Sequence, residues 1–225
     1  MPPALQFESV KITISKENYL KAIAEAESEG ETVIAATLAR WVNVSPPAVT
    51  MAMRRLKRDG LIEVGKDGVV TLTDEGREIA SRLLTRHHLI ERMLTEIFGM
   101  EWYKVHEEAE ALEHAVSSDF EQKLVEKLGL SGPCPHGNIV EMDTPQARRE
   151  RGLKPLDELA PDTLGRVVSV YERDRRLLEY LDRLGIHPGA EVRMLQRNYD
   201  DTVTLSIGGE TKPLGRAAAI KVWVE

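Results

Sequence analysis

Residues 45–60 read Ser45-Pro-Pro-Ala-Val-Thr-Met-Ala-Met-Arg-Arg-Leu-Lys-Arg-Asp-Gly60, and they decide the architecture of the first third of the chain. A serine followed by two prolines marks a helix start, because proline lacks an N–H that the first turn could not pair anyway. Gly60 marks the stop. Val49, Met53 and Leu56 recur at helical spacing and predict a buried stripe. Arg54, Arg55, Lys57 and Arg58 set a basic cluster beside it, in a chain whose formal net charge is −7. Two short alternating runs follow, 61–64 and 69–73, joined by Gly65-Lys-Asp-Gly68 as a hairpin turn. Upstream, residues 15–29 predict a helix with Ser15 as N-cap, Tyr19, Ile23 and Ala26 inward, and Gly30 as its end. A short helix is predicted over 33–41. This order is the layout of a winged helix-turn-helix, whose third helix enters the major groove of double-stranded DNA while the wing touches phosphate. The groove-facing residues are then Ser45, Pro47, Ala48, Thr50, Met51, Arg54 and Arg55, with Lys66 in the wing.

Composition narrows the rest. The 225 residues suffice for two or three small domains, and 42% hydrophobic content describes a folded protein and not a disordered one. No apolar run is long enough to span a membrane, and the first residues lack a signal-peptide plan. The single cysteine, Cys134, forms no internal disulfide, so a reducing cytoplasm is the expected compartment. A net acidic chain does not coat nucleic acid indiscriminately, whereas a local basic surface still binds it.

A long helix is predicted from Thr73 to about Phe98, then helices over about 104–115 and 117–128. In the second of these, Lys104-Val-His-Glu-Glu-Ala-Glu-Ala-Leu-Glu-His114, positions 106, 110, 113 and 114 share one helical face. That face would otherwise be apolar, yet it carries imidazole and carboxylate. His87 and Glu91 repeat the pattern at i, i+4. Clustered carboxylates repel unless a positive charge lies between them, and a divalent cation is the simplest solution. The helices also carry more apolar surface than the N-terminal domain needs, which predicts a homodimer interface suited to paired half-sites.

Residues 131–163 are rich in proline and glycine and read as irregular, with Cys134 and His136 as isolated, structural residues. From about 164 the period changes to two, with one short helix beginning at Arg176, which predicts a small SH3-like barrel. The predicted fold is therefore mainly α with small β parts: a winged helix-turn-helix over 1–73, a helical metal-binding and dimerisation domain over 74–145, a linker over 146–163 and an SH3-like domain over 164–225.

The chain resembles the diphtheria-toxin-repressor family of metal-dependent transcriptional regulators nearly end to end. The resemblance is carried by Glu17-Asn-Tyr-Leu, Ser45-Pro-Pro-Ala-Val-Thr, Leu56-Lys-Arg-Asp-Gly-Leu-Ile62, Thr71-Leu-Thr-Asp-Glu-Gly76, Arg86-His-His-Leu-Ile-Glu91, the 105–114 stretch and Cys134-Pro-His-Gly-Asn138. It implies two metal positions: one on Glu110, Glu113 and His114 with Asn18 reaching in, the other on His87, Glu91 and His106, completed by Glu172. Where a further ligand from the SH3-like domain is expected, this chain has Arg173 and Arg175. The iron-responsive branch places Cys and Met where this chain has Glu110 and Asn18, and the manganese-responsive branch has Glu at 110 and Asp at 18. Oxygen in place of sulfur favours harder ions, so Mn²⁺ is the expected cofactor and Fe²⁺ the alternative. The expected function is Mn²⁺-dependent repression of metal-uptake genes by an operator-bound dimer. A carboxylate-bridged metalloenzyme would use the same helices, but the sequence adds no acid–base motif and that reading leaves the winged helix unexplained. A third reading keeps DNA binding but makes the His/Glu face structural, with a small organic effector in place of the metal.

Overall fold

The computed structural model describes residues 12–140 and 143–225, and the chain divides into two compact units, Met1–Leu83 and Leu84–Glu225. In the first unit, helix α1 covers Ile14–Ser28, α2 Ala35–Trp41 and α3 Pro46–Arg58, followed by strands β1 (Ile62–Val64) and β2 (Val70–Leu72) and the first half of α4 (Asp74–Arg92). Leu20, Ile23, Leu38, Val49, Leu56 and Ile62 form its core. The strands pair antiparallel with Ile62 opposite Leu72, which turns both inward. The wing and the basic helix are thus where the sequence places them. Two boundaries shift. α1 is capped by Thr13 and not Ser15, because the Thr13 carbonyl accepts the Lys16 and Glu17 N–H groups and draws Ser15 into the first turn. α2 starts at Ala35 because Val33 is taken by the wing: its carbonyl accepts the Val70 N–H at 2.8 Å. Thr73 Oγ1 accepts from Gly76 N and donates to the Gly60 carbonyl, fixing the entry to α4. A Cβ at Gly76 would lie 2.0 Å from the Leu61 carbonyl oxygen, so only glycine fits.

In the second unit α4 ends in a widened π turn over Met93–Ile97. Helices α5 (Val105–Leu112) and α6 (Ser118–Leu128) pack with it around Leu89, Ile90, Val105, Ala109 and Leu124. Phe120 on α6 is exposed. Then come α7 (Pro145–Glu150), β3 (Lys154–Pro155), a 3₁₀ turn, β4 (Leu164–Val170), α8 (Arg175–Leu184), β5 (Glu191–Arg197), β6 (Val203–Ile207), β7 (Glu210–Leu214), α9 (Arg216–Ala219) and β8 (Val222–Val224). The six strands form an antiparallel sheet in the order β3-β8-β4-β5-β6-β7. Register shifts in β4 and β5 bend it around Leu178, Leu181, Ile186, Val192 and Leu205. The expected linker 146–163 is not irregular throughout. α7 overlaps its start, and Lys154 and Pro155 pair with Val224 and Trp223, so the sheet begins ten residues earlier than the alternation suggests. Short strands leave too few residues to alternate. Among the described residues, no helix is long and apolar enough to cross a membrane.

Candidate metal centre

α4 contributes His87, His88 and Glu91, all buried, and α5 contributes His106, also buried. Glu113 is the C-cap residue of α5, yet its backbone stays helical at φ −57° and ψ −27° and its N–H donates to the Ala109 carbonyl. It therefore stays on the side of α5 that carries His106 toward α4, and His87 Nδ1 donates to Glu113 Oε2 at 2.7 Å. His114 Nε2 is 3.5 Å from Glu113 Oε1, and Glu110 is partly exposed, 3.6 Å from His106 Nε2.

The bond to Glu113 places the His87 proton on Nδ1 and leaves the Nε2 lone pair facing inward. There His87 Nε2 is 3.0 Å from His106 Nδ1 and 3.1 Å from Glu91 Oε1, and His106 Nδ1 is 3.3 Å from the same oxygen. Three electron-rich atoms in van der Waals reach, out of water, need a proton or a cation among them. The residues fit a divalent ion for a further reason: Glu91 Oε2, His88 Nδ1 and His136 Nε2 are buried with no hydrogen-bond partner among the described residues.

The segment after α6 completes the cluster. Val170 N donates to the His136 carbonyl, and a Cβ on Gly137 would lie 1.9 Å from the Val168 carbonyl oxygen, so the Cys134–Asn138 turn lies flat on β4. That docking puts His136 Nδ1 3.4 Å from Glu91 Oε1 and 3.5 Å from Glu172 Oε2. Cys134 Sγ is 3.5 Å from Glu172 Oε2, which also accepts from Asn138 Nδ2 at 2.6 Å. Glu172 Oε1 points the other way, 3.8 Å from His106 Nδ1. Two sets of donor atoms each fall within 4.8 Å: His87, His106 and Glu172, and His88, Glu91, Cys134 and Glu172. Cys134 and His136 are thus not isolated, and His88 joins them although nothing in the sequence singled it out.

Burial alone would raise the Glu91 carboxyl, but His136, His87 and His106 hold it well below the usual range. Burial and Glu91 likewise push Glu172 up, and the imidazoles of His106, His136 and His88 outweigh them, leaving it at about 2. His136 is raised despite burial because Glu91 and Glu172 face it, while burial lowers His88 and pushes the Cys134 thiol well up. Both carboxylates therefore stay ionised in a dry site, ready to bind a cation.

In the first unit Ser45, Pro47, Ala48, Thr50, Met51, Arg54 and Arg55 are all exposed on α3, and Lys66 is exposed in the wing turn. Arg54, Arg55 and Lys66 have no carboxylate partner among the described residues. Asn18 lies half-buried on α1.

A winged-helix unit and a unit with a buried His/Glu cluster in one chain define a DNA-binding regulator with a metal centre. Residues 11–70 match the model of the iron-dependent repressor N-terminal DNA-binding domain, residues 73–140 that of the metal-binding and dimerisation domain, and residues 154–225 the FeoA domain. The chain is 33% identical to the diphtheria toxin repressor of Corynebacterium glutamicum over 218 residues, covering 93% of this chain and 95% of the relative. It is 34% identical to the iron-dependent repressor IdeR of Mycobacterium tuberculosis over 223 residues, covering 92% and 95%. Among solved structures, a manganese-dependent transcriptional repressor in complex with manganese superposes with a TM-score of 0.82 at 32% identity, over 93% of this chain and 98% of that one. The manganese regulator SloR follows with 0.75 at 30% over 95% and 99%. The chain belongs to the diphtheria-toxin-repressor family of metal-dependent transcriptional repressors. Its relatives are repressors, which removes the metalloenzyme reading.

Proposed function

We propose that the protein is a Mn²⁺-activated repressor of metal-uptake genes that binds operator DNA as a homodimer. The observation that carries this is the buried meeting of His87 Nε2, His106 Nδ1 and Glu91 Oε1 at 3.0–3.3 Å, in a chain whose other unit presents Arg54 and Arg55 exposed on a basic helix. His87, Glu91, His106 and Glu172 hold the inner position. Glu110, Glu113 and His114 hold the outer one, and Asn18 keeps the ligand role that the family resemblance implies. The cation supplies the positive charge these carboxylates lack. Glu113 orients His87 through Nδ1 and belongs to the outer set, so occupancy of one position favours the other.

Oxygen donors at 18 and 110 favour Mn²⁺, and a structural relative is described as a manganese-dependent repressor complex with manganese. Fe²⁺ is the second reading, supported by Cys134 Sγ among the inner donors and by the iron-dependent relatives. Exposed Ile97, Phe98, Leu112, Phe120 and Leu130 in the helical part supply apolar surface for dimerisation. DNA and metal then bind with reciprocal coupling of about 1–3 kcal/mol.

Fluorescence anisotropy of the metal-stripped chain on fragments from its own gene neighbourhood tests the proposal. Binding is expected with Mn²⁺ and not with chelator, and anaerobic Fe²⁺ is expected to act more weakly. Glu113→Ala is expected to abolish the metal response while leaving the circular dichroism spectrum unchanged. Equal DNA binding with and without metal would refute the proposal.

A further inference from the structure

Arg173 and Arg175 stand where the SH3-like domain was expected to offer another ligand, and the structure gives them a different task. Arg173 lies in the segment between β4 and α8, Arg175 opens α8, and both reach α5. Arg175 Nη1 is 3.0 Å from Glu107 Oε2, and Arg173 Nη1 is 3.8 Å from Glu110 Oε1. Glu107 faces solvent and belongs to no donor set. Glu110 is a carboxylate of the outer metal position, so this inference rests on that assignment. Glu172, one residue earlier, reaches into the inner cluster. A single dipeptide at the end of β4 therefore delivers a carboxylate to one position and a guanidinium to the other.

We propose that Arg173 is a built-in competitor of the divalent cation at Glu110 and sets the ion concentration at which the outer position fills. A guanidinium and a dication compete for the same carboxylate, and two positive charges held against it repel. Arg173 would therefore oppose an ion at Glu110. The side chain of Arg173 is 21% exposed and that of Glu110 42%, so the pair is screened by solvent and its effect is moderate. In the metal-free protein the pair also relieves part of the repulsion among the carboxylates of α5. The device raises the threshold without removing a ligand.

The test is calorimetric titration of Mn²⁺ into the full metal-stripped chain. Arg173→Gln is expected to bind Mn²⁺ about 2–5-fold tighter at 50 mM salt, a range set by exposed ion pairs of modest strength. The gain should shrink at 1 M salt, where the Debye length falls to about 3 Å. Arg173→Lys keeps the charge and should stay near wild type. Arg175→Gln, which breaks the neighbouring pair at a non-ligand carboxylate, should not change Mn²⁺ affinity. In Arg173→Gln combined with Glu110→Gln the gain should vanish, because the competitor acts only through that carboxylate. Equal Mn²⁺ affinity in Arg173→Gln and wild type overturns the inference, as does an equal gain in Arg175→Gln. If Glu110→Gln alone binds Mn²⁺ like wild type, the outer position itself is misassigned and the inference falls with it. If Glu110→Gln weakens binding while Arg173→Gln changes nothing, only the competitor role is refuted.

Discussion

Replacing Glu172 by glutamine tests how the inner cluster is held together. The carboxyl sits at about 2 against an ordinary 4.5, because the imidazoles of His106, His136 and His88 outweigh burial and the nearby Glu91. At about 1.4 kcal/mol for each tenfold, that difference corresponds to about 3 kcal/mol of stability linked to the ionised form. Since the folded value lies below the unfolded one, the contribution is complete above about pH 4.5 and is lost as pH falls through 2. The glutamine variant keeps an acceptor for Asn138 Nδ2 but has no charge to lose. The stability gap between wild type and Glu172→Gln should therefore narrow by about 2 kcal/mol between pH 6 and pH 3, or about 4–8 °C in the unfolding midpoint. Thermal unfolding followed by circular dichroism, in chelator throughout, measures this. The same variant should bind Mn²⁺ at least ~10-fold more weakly, since even outer partners of metal ligands are worth that much. A gap that is independent of pH, or unchanged Mn²⁺ affinity, would show that Glu172 is a bystander.

Two other perturbations leave every proposed ligand in place. Gly137→Ala should weaken Mn²⁺ binding and cost about 2 kcal/mol or more, because its Cβ would strike the Val168 carbonyl at 1.9 Å and lift the Cys134–Asn138 turn off β4 at a φ of +84°. Titration calorimetry and thermal unfolding read both effects. Lys66→Ala should lower operator affinity across all sequences and reduce the slope of log affinity against log salt by about 1, with Mn²⁺ binding unchanged. Anisotropy at several salt concentrations decides this, and an unchanged slope would take the wing off the DNA backbone.

The winged helix was legible because its signals are local. Ser45, the two prolines, the Val49–Leu56 spacing and Gly60 each act within a turn or two. The pair His87 and Glu91 was legible for the same reason, as i, i+4 neighbours on α4. Glu113 follows the same rule. Its backbone stays helical past Leu112, so it faces α4 on the side of His106 and meets His87. His88 was passed over because it lies one residue from His87, about 100° around the helix, and the expectation was a single liganding face. Its inward position depends on what packs against the second face of α4, which is Cys134 and Glu172. Strand β7 escaped notice because Glu210-Thr-Lys-Pro-Leu214 does not alternate. Pro213 is tolerated there because β7 lies at the sheet edge, where a missing N–H breaks no ladder.

Cys134 and His136 teach the opposite point about range. Their placement depends on the Cys134–Asn138 turn meeting β4 more than thirty residues later, through the His136 carbonyl bonded to Val170 N. No window of sequence contains both partners. The inner donors come from α4, α5, this turn and the end of β4, so the cluster exists only when the sheet is docked on the helices of the second unit. Ion binding and that docking are then one equilibrium, and the ion's binding free energy is also docking free energy. Trp102 Nε1 donating to Asp182 Oδ1 at 2.7 Å and the Arg175–Glu107 pair hold the same surfaces together independently of the ion. They keep the donors close enough in the metal-free protein for the ion to select an arrangement already nearly formed. That is why the regulator can respond to a change of charge at a few buried atoms without refolding.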